Sequence, residues 1–203
     1  MTAPARFITF EGIDGSGKST QARLLAEGLR AAGSEVVLTR EPGGSPGAEA
    51  IRALLLTGQS DRWSAQTEIL LFTAARRDHL EKTVQPALAA GQTVICDRFA
   101  DSTRVYQGAT RGDLRSMVDR LHSLMIGVEP DLTFVIDMDP AKALRRGLAR
   151  ASGEDRFEEM GLAFQETLRH GFLSLARDNA DRCIVIDGDR DAAAIASEIR
   201  ARL

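Results

Sequence analysis

The 203-residue chain predicts an α/β layered fold, a parallel sheet flanked by helices, on three observations. Five short runs, residues 6–11, 35–40, 93–97, 132–137 and 182–187, are apolar and rich in β-branched side chains without polar alternation. That is the pattern of strands covered on both faces in a parallel sheet. Helical patterns separate these runs, so strand and helix alternate along the chain. A glycine-rich stretch, FEGIDGSGKST (residues 10–20), lies between the first run and the first helix, the context in which a phosphate-gripping loop forms.

Each element has its own signal. The run RFITFE leads into the glycine-rich loop, and the helix after it, residues 20–32, places Leu24, Leu25, Leu29 and Ala32 at helical spacing before Gly33 stops it. The run EVVLTR enters a glycine-proline turn, TREPGG (residues 39–44), with Arg52 on the helix beyond. The segment LLFTAARRDHL (residues 70–80) is helical and sets Phe72 and Arg76 four residues apart on one side. The run TVICD ends in Asp97-Arg98-Phe99, followed by DSTRVYQG (residues 101–108). Leu114, Met117, Val118, Leu121 and Met125 form an apolar helical stripe. EPDLTFVID (residues 129–137) is the fourth strand, and Asp139-Pro140 reads as an N-cap with a first-turn proline. Phe157, Phe164, Leu168, Phe172 and Leu175 mark a long late helix. No repeat or linker divides the chain, which reads as one domain, residues 1–203, with residues 144–159 as a lid.

Composition excludes several function classes. Hydrophobic residues make up 43% and charged ones 27%, a globular balance. With 26 Lys and Arg against 29 Asp and Glu the net charge is −3, a poor basis for binding nucleic acid. Cys96 and Cys183 are too few for a disulfide framework or a four-cysteine zinc site, and are expected to be buried, unreactive and unbridged. They point to a reducing compartment. No signal-peptide or membrane-length apolar run opens the sequence, so a cytoplasmic location with no membrane partner is expected. His79, His122 and His170 are isolated and read as packed or surface side chains rather than ligands.

The chemistry centres on the loop. Gly12, Gly17, Lys18 and Ser19 fit G-x-x-x-x-G-K-[ST] at every position. Backbone N–H groups of Gly12, Ile13, Asp14, Gly15, Ser16, Gly17, Lys18, Ser19 and Thr20 are expected to cradle the phosphates of a nucleoside triphosphate. Lys18 would reach the β- and γ-phosphates, and the Ser19 hydroxyl would ligate Mg²⁺. Asp97, at the carboxyl end of a buried strand, is placed to support Mg²⁺, and Arg98 beside it to hold an acceptor phosphate. A guanine-reading N-K-x-D and the protein-kinase H-R-D…D-F-G set are absent from the sequence. A phosphate acceptor needs no general base, which suits a site without a catalytic histidine. Phe72 and Arg76 read either as a core phenylalanine beside a surface arginine, the commoner case for such a pair, or as a pair that stacks on and hydrogen-bonds a base, with Thr103, Gln107 and the single tyrosine, Tyr106, on the next helical segment. Arg145, Arg146, Arg150 and Arg156 make the 144–159 segment either a solvated basic face or a lid that carries arginines to the transferring group.

Jointly, FEGIDGSGKST, TREPGG, LLFTAARRDHL, CDRF with DSTRVYQG, and EPDLTFVID resemble the thymidylate kinase family, in its order and spacing through nearly the whole chain. The resemblance implies a three-layer P-loop NTPase fold with a five-stranded parallel sheet. It also implies transfer of the ATP γ-phosphoryl group to dTMP with Mg²⁺, and a homodimer. By the same resemblance Asp14 lies by the acceptor sugar or the metal, and Arg98 and Arg52 contact the dTMP phosphate. Phe72 stacks on thymine, Arg76 bonds O4, Thr103 and Gln107 line the base edge, and Tyr106 blocks a 2′-OH. Pro42 matches a position that is cis in the family. Gly15 stands where one subtype has an arginine, which assigns the catalytic arginine to the lid, Arg150 or Arg156. Phe99 and Arg104 depart from the family pattern. Another nucleotide kinase of the same fold, and a non-catalytic ATP-binding protein, are the alternatives.

Overall fold

A computed structural model describes residues 5–58, 62–108, 113–148 and 160–203. Strands β1 (Phe7–Glu11), β2 (Val36–Arg40), β3 (Thr93–Asp97), β4 (Leu132–Asp137) and β5 (Cys183–Asp187) form one parallel sheet in the order β2-β3-β1-β4-β5. The strands lie within one residue of their sequence-predicted bounds. β1 is central, with Ile8 opposite Ile95 of β3 and Phe10 opposite Phe134 of β4. Parallel neighbours need crossovers, and helices supply them.

Those helices are α1 (Lys18–Ala31), α2 (Pro46–Leu56), α3 (Ala65–His79), α4 (Gln85–Ala89), α5 (Ala100–Tyr106), α6 (Arg115–Met125), α7 (Pro140–Leu148), α8 (Leu162–Asp178) and α9 (Ala192–Ala201). A π turn, Leu80–Val84, joins α3 to α4. Gly33, at φ 87°, ends the first helix as read. The Asp139 carboxylate accepts from the Lys142 N–H at 2.9 Å, the predicted cap of α7. Residue Phe157 lies outside the described residues.

Side chains alternate along β1 and sort the layers. Ile8 and Phe10 pack with Leu25 of α1 and Ile195 and Ile199 of α9 on one face. Phe7 packs on the other with Leu80, Val84, Phe99 and Ile126. Val105, Tyr106, Leu168 and Phe172 complete that second face beside β4. Glu11 shares the parity of Phe7, so the last residue of β1 points towards α5.

Two expectations are corrected and one element was missed. Only β1, β3 and β4 are covered on both faces; β2 and β5 are edges, and Leu38 and Val185 are exposed. An apolar run reports burial tendency, not rank within a sheet. The stripe on α6 is only partly inward, since Val118 is buried while Met117 and Met125 are exposed. Helix α9 went unread because its alanines carry little periodic signal; Asp191 caps it by accepting from the Ala193 and Ala194 N–H groups.

The cysteines sit as expected. Both are buried and free, in β3 and β5, with β1 and β4 between them. Burial raises both thiol pKa values, that of Cys183 to about 11.

Candidate active site

The glycine-rich loop curls over the carboxyl end of β1. Gly12, Gly15 and Gly17 all have positive φ. At two of them space is as restrictive as conformation: a Cβ on Gly12 would stand 2.5 Å from the Ile136 carbonyl oxygen, and one on Gly15 would overlap the Ala143 carbonyl of α7. α1 starts at Lys18 with no side-chain cap, so its first N–H groups are left to an anion. Lys18 is buried, and its Nζ donates to the Ile13 carbonyl at 2.6 Å. Burial lowers its pKa to about 8, with Arg98 adding to the effect and Asp14 and Asp97 opposing it.

Beyond Asp97 the chain turns sharply. Arg98, at φ 69°, is the one non-glycine residue with positive φ among the described residues. Glu11 holds the turn from below: it accepts from the Phe99 N–H at 2.8 Å, the Ser102 N–H at 3.2 Å and the Ser102 hydroxyl at 2.6 Å. A residue of β1 thus caps α5, whose own N-cap, Phe99, cannot. Burial raises the Glu11 pKa to about 7, with Asp101 adding to it. The Arg98 guanidinium donates to the Asp14 carboxylate, the Gly12 carbonyl, the Ser102 hydroxyl and the Tyr106 oxygen. Tyr106 donates in turn to Asp14 at 2.7 Å. Burial opposes ionisation of Asp14, but Arg98 and Lys18 outweigh it and lower the pKa to about 2.

Across the cleft, Arg76 is buried beside the Phe99 ring, its guanidinium carbon 5.1 Å from the ring centre. It donates to Glu41 at 2.7 Å, and to the Phe99 carbonyl and the Thr103 hydroxyl at 3.0 Å each. Glu41–Pro42 is a cis peptide, matching the expectation for Pro42, and Arg52 donates to the Pro42 carbonyl at 2.6 Å. The Gln107 amide N–H lies 3.3 Å from Glu68, and its buried Oε1 has no partner among the described residues.

One cleft of about 280 Å³ gathers Asp14, Gly15, Gly17, Lys18 and Ser19 with Asp97, Arg98, Arg52, Phe72, Arg76, Thr103, Tyr106 and Gln107. Every residue expected to meet the acceptor is therefore on its wall. Gly12, Ile13, Ser16 and Thr20 support the loop from outside the lining. Arg150 and Arg156 lie outside the described residues. Glu11, Glu41 and Ser102 were missed by the sequence reading; their only signal is an acid ending an apolar strand, or a place inside a block read for other residues. The two departures are structural. Phe99 is core, edge-on to Phe7 at 4.9 Å. Arg104 points away from the cleft and pairs with Asp101, Asp119 and Glu129.

Comparison with known proteins places this geometry. The sequence model of the thymidylate kinase family matches residues 10–199. A thymidylate kinase of Dinoroseobacter shibae is 73% identical over 203 residues, all of this chain and 98% of that one. One from Ruegeria pomeroyi is 66% identical over 199 residues, 98% of this chain and 94% of the other. The crystal structure of thymidylate kinase from Ehrlichia chaffeensis superposes with a TM-score of 0.80 at 40% identity, covering 98% of this chain and 99% of that one.

Proposed function

The chain belongs to the thymidylate kinase family, and we propose that the cleft at the carboxyl edge of its sheet is where the family's reaction runs. It phosphorylates dTMP to dTDP with ATP as the donor. One observation carries the assignment of the site. The phosphate loop and the side chains of Phe72, Arg76 and Gln107 line a single cleft, and Arg98 bonds both Asp14 of the loop and Tyr106 beside Gln107.

In this reading the loop residues from Gly12 to Thr20 bind ATP. Arg98 and Arg52 grip the acceptor phosphate, Asp14 and Tyr106 meet the sugar, and Phe72, Arg76, Thr103 and Gln107 take the base. Arg98 is set before substrate arrives, because Asp14, Ser102 and Tyr106 already hold its guanidinium. Transfer in line from ATP to a phosphate oxygen then needs placement and charge neutralisation, and no proton acceptor. Ser19 and Asp97 both line the cleft and offer only oxygen donors, a set that suits Mg²⁺ completed by phosphate and water. When bound there, the ion supplies charge neutralisation at the donor phosphates.

ATP-to-ADP turnover with and without dTMP tests the whole reading; turnover independent of dTMP would overturn it. Lys18→Ala is expected to lower kcat by about 10²–10³, the scale of losing one preorganised donor to developing charge. The dTMP affinity should stay close to that of the unaltered chain, because Lys18 bonds only within the loop. Titration calorimetry with dTMP checks this second half, and normal turnover would remove the loop from the donor site.

The whole chain acts as one kinase domain in this reading, with residues 144–159 as its lid, in the cytoplasm and as a homodimer. No helix among the described residues is long and apolar enough to cross a membrane. Exposed apolar side chains support the dimer. On α6, Met117 and Leu124 lie two turns apart on one side. On α3, Leu70 is 58% exposed and two turns from Arg77, which donates to the Met125 carbonyl of α6. Leu70 of α3 and Met117, Leu124 and Met125 of α6 are exposed apolar side chains on two helices joined by that bond. Leu124→Glu, at a side chain 76% exposed in the single chain, should shift the protein to monomer in light scattering; an unchanged mass would place the contact elsewhere.

A further inference from the structure

Glu41 and His79 take no part in the reaction as drawn, yet they hold the residue assigned to read the base. His79 ends α3 and is fully buried. It stands three residues after Arg76, so the two share a helix face. Both hold one carboxylate: the Arg76 Nε donates to Glu41 Oε2 at 2.7 Å, and His79 Nδ1 lies 2.9 Å from Glu41 Oε1. An ionised carboxylate only accepts, so Nδ1 carries the hydrogen. The other ring nitrogen, Nε2, is 2.8 Å from the Thr39 hydroxyl on β2. Gly44 makes room for that last contact, since a Cβ there would stand 2.5 Å from Nε2 and crowd the Thr39 oxygen. The backbone N–H of Glu41 is tied to the Asp97 carbonyl at 2.9 Å, which anchors the turn to β3.

A guanidinium has five N–H groups. Arg76 commits the one on Nε to Glu41 and those on Nη2 to the Phe99 carbonyl and the Thr103 hydroxyl. The two on Nη1 have no partner among the described residues, and Arg76 lines the cleft. The edge offered to a base is therefore the one that Glu41 leaves over. Without a donor from His79, Oε1 would be buried and unpaired. Its nearest remedy is a side-on pair with Nε and Nη2 together. That pair would draw Nη2 from Phe99 and Thr103 and roll the guanidinium, carrying Nη1 off the base.

The geometry points to His79 as a positioning residue for base recognition: by holding Glu41 Oε1 it keeps Nη1 of Arg76 aimed at position 4 of the pyrimidine. This rests on the assignment of Arg76 to the base. A histidine that merely fills the core would affect stability without a preference for one substrate over the other.

The test is steady-state kinetics on the full chain, with thermal melting as the check on folding. His79→Leu removes the donor, and His79→Asn can return an N–H at the reach of Nδ1. The leucine variant is expected to raise KM for dTMP about tenfold, the loss of one charge-assisted hydrogen bond, and to leave KM for ATP within about twofold. It should also narrow the preference for dTMP over dCMP, and the asparagine variant should recover most of both losses. Equal KM for dTMP in the leucine variant and the unaltered chain would overturn the inference, as would a rise in both KM values together. If the leucine variant does not fold, Thr39→Val keeps the ring but frees its far side. A few-fold rise in KM for dTMP alone supports the inference in that variant, and no rise overturns it. Arg76→Met separates the two levels. If it leaves KM for dTMP unchanged, the base assignment itself fails and the inference with it. If it raises that KM and His79→Leu does not, only the inference fails.

Discussion

Replacing Arg150 and Arg156 together by alanine should lower kcat by about 10³ or more, the scale of an arginine that neutralises a transferring phosphoryl group. The argument counts cations at the donor end. Lys18 is the loop's only one. A second cannot be added at Gly15, where a Cβ would overlap the Ala143 carbonyl, and Ala143 is buried in a helix capped at Asp139. Arg98, assigned above to the acceptor phosphate, is already held by the Gly12 carbonyl and Asp14 of the loop and by Ser102 and Tyr106 of α5. The missing charge is expected from another segment, and Arg150 and Arg156 follow in sequence on α7, whose Ala143 carbonyl lies against Gly15 of the loop. Single-turnover rates with saturating ATP and dTMP measure the loss, and calorimetry with dTMP should show affinity close to that of the unaltered chain. The two single variants then tell which arginine acts. A double variant with kcat within about tenfold of normal would end the assignment, and Arg145 and Arg146 of α7 would be examined next.

How far this was legible in the sequence depended on the reach of each signal. The strands were readable because apolar runs are local, and the loop because its glycines answer contacts that recur wherever a strand turns into a phosphate-binding helix. The residues assigned to the acceptor were readable only as blocks; nothing in a four-residue spacing says that Phe72 and Arg76 line one cleft with Gln107. What stayed hidden is held across long stretches of chain. Glu11 caps a helix 88 residues on, at the Phe99 N–H, and looks in sequence like the last residue of a strand. Glu41 and His79 are 38 residues apart, and an isolated histidine carries no hint of the carboxylate it will meet. Arg104 looked like an anomaly of the site because it follows Thr103. In the fold it turns the other way, to Asp101, Asp119 and Glu129, since consecutive helical residues point about 100° apart.

The largest expected effect is on the choice of base: kcat/KM for dCMP should fall about 10⁴-fold below that for dTMP. Thymine presents an acceptor at O4 and a donor at N3. The free N–H groups of Arg76 Nη1 match the first, and the unpartnered Gln107 Oε1 matches the second. Cytosine reverses both, with an amino group at position 4 and a bare N3. Arg76 and Gln107 are both buried, at 3% and 1% exposure, so water cannot relieve two facing donors or two facing acceptors. A site built to hydrogen-bond a group rejects the analogue that lacks it far more strongly than an apolar pocket rejects a missing methyl. For that reason dUMP, which keeps the same edge and lacks only the methyl, should lose no more than about 10- to 200-fold. Ribose should be disfavoured separately, because Tyr106 is bonded to both Asp14 and Arg98 and is not free to swing away from a 2′-OH. The measurement is kcat/KM for dTMP, dUMP, dCMP and UMP at one ATP concentration. The order dTMP, dUMP, then dCMP far behind is the expected result. A dCMP value within about tenfold of dTMP would show that Arg76 and Gln107 do not read the base edge, whatever Lys18→Ala does to the rate, because the donor loop and the base wall are built from different elements.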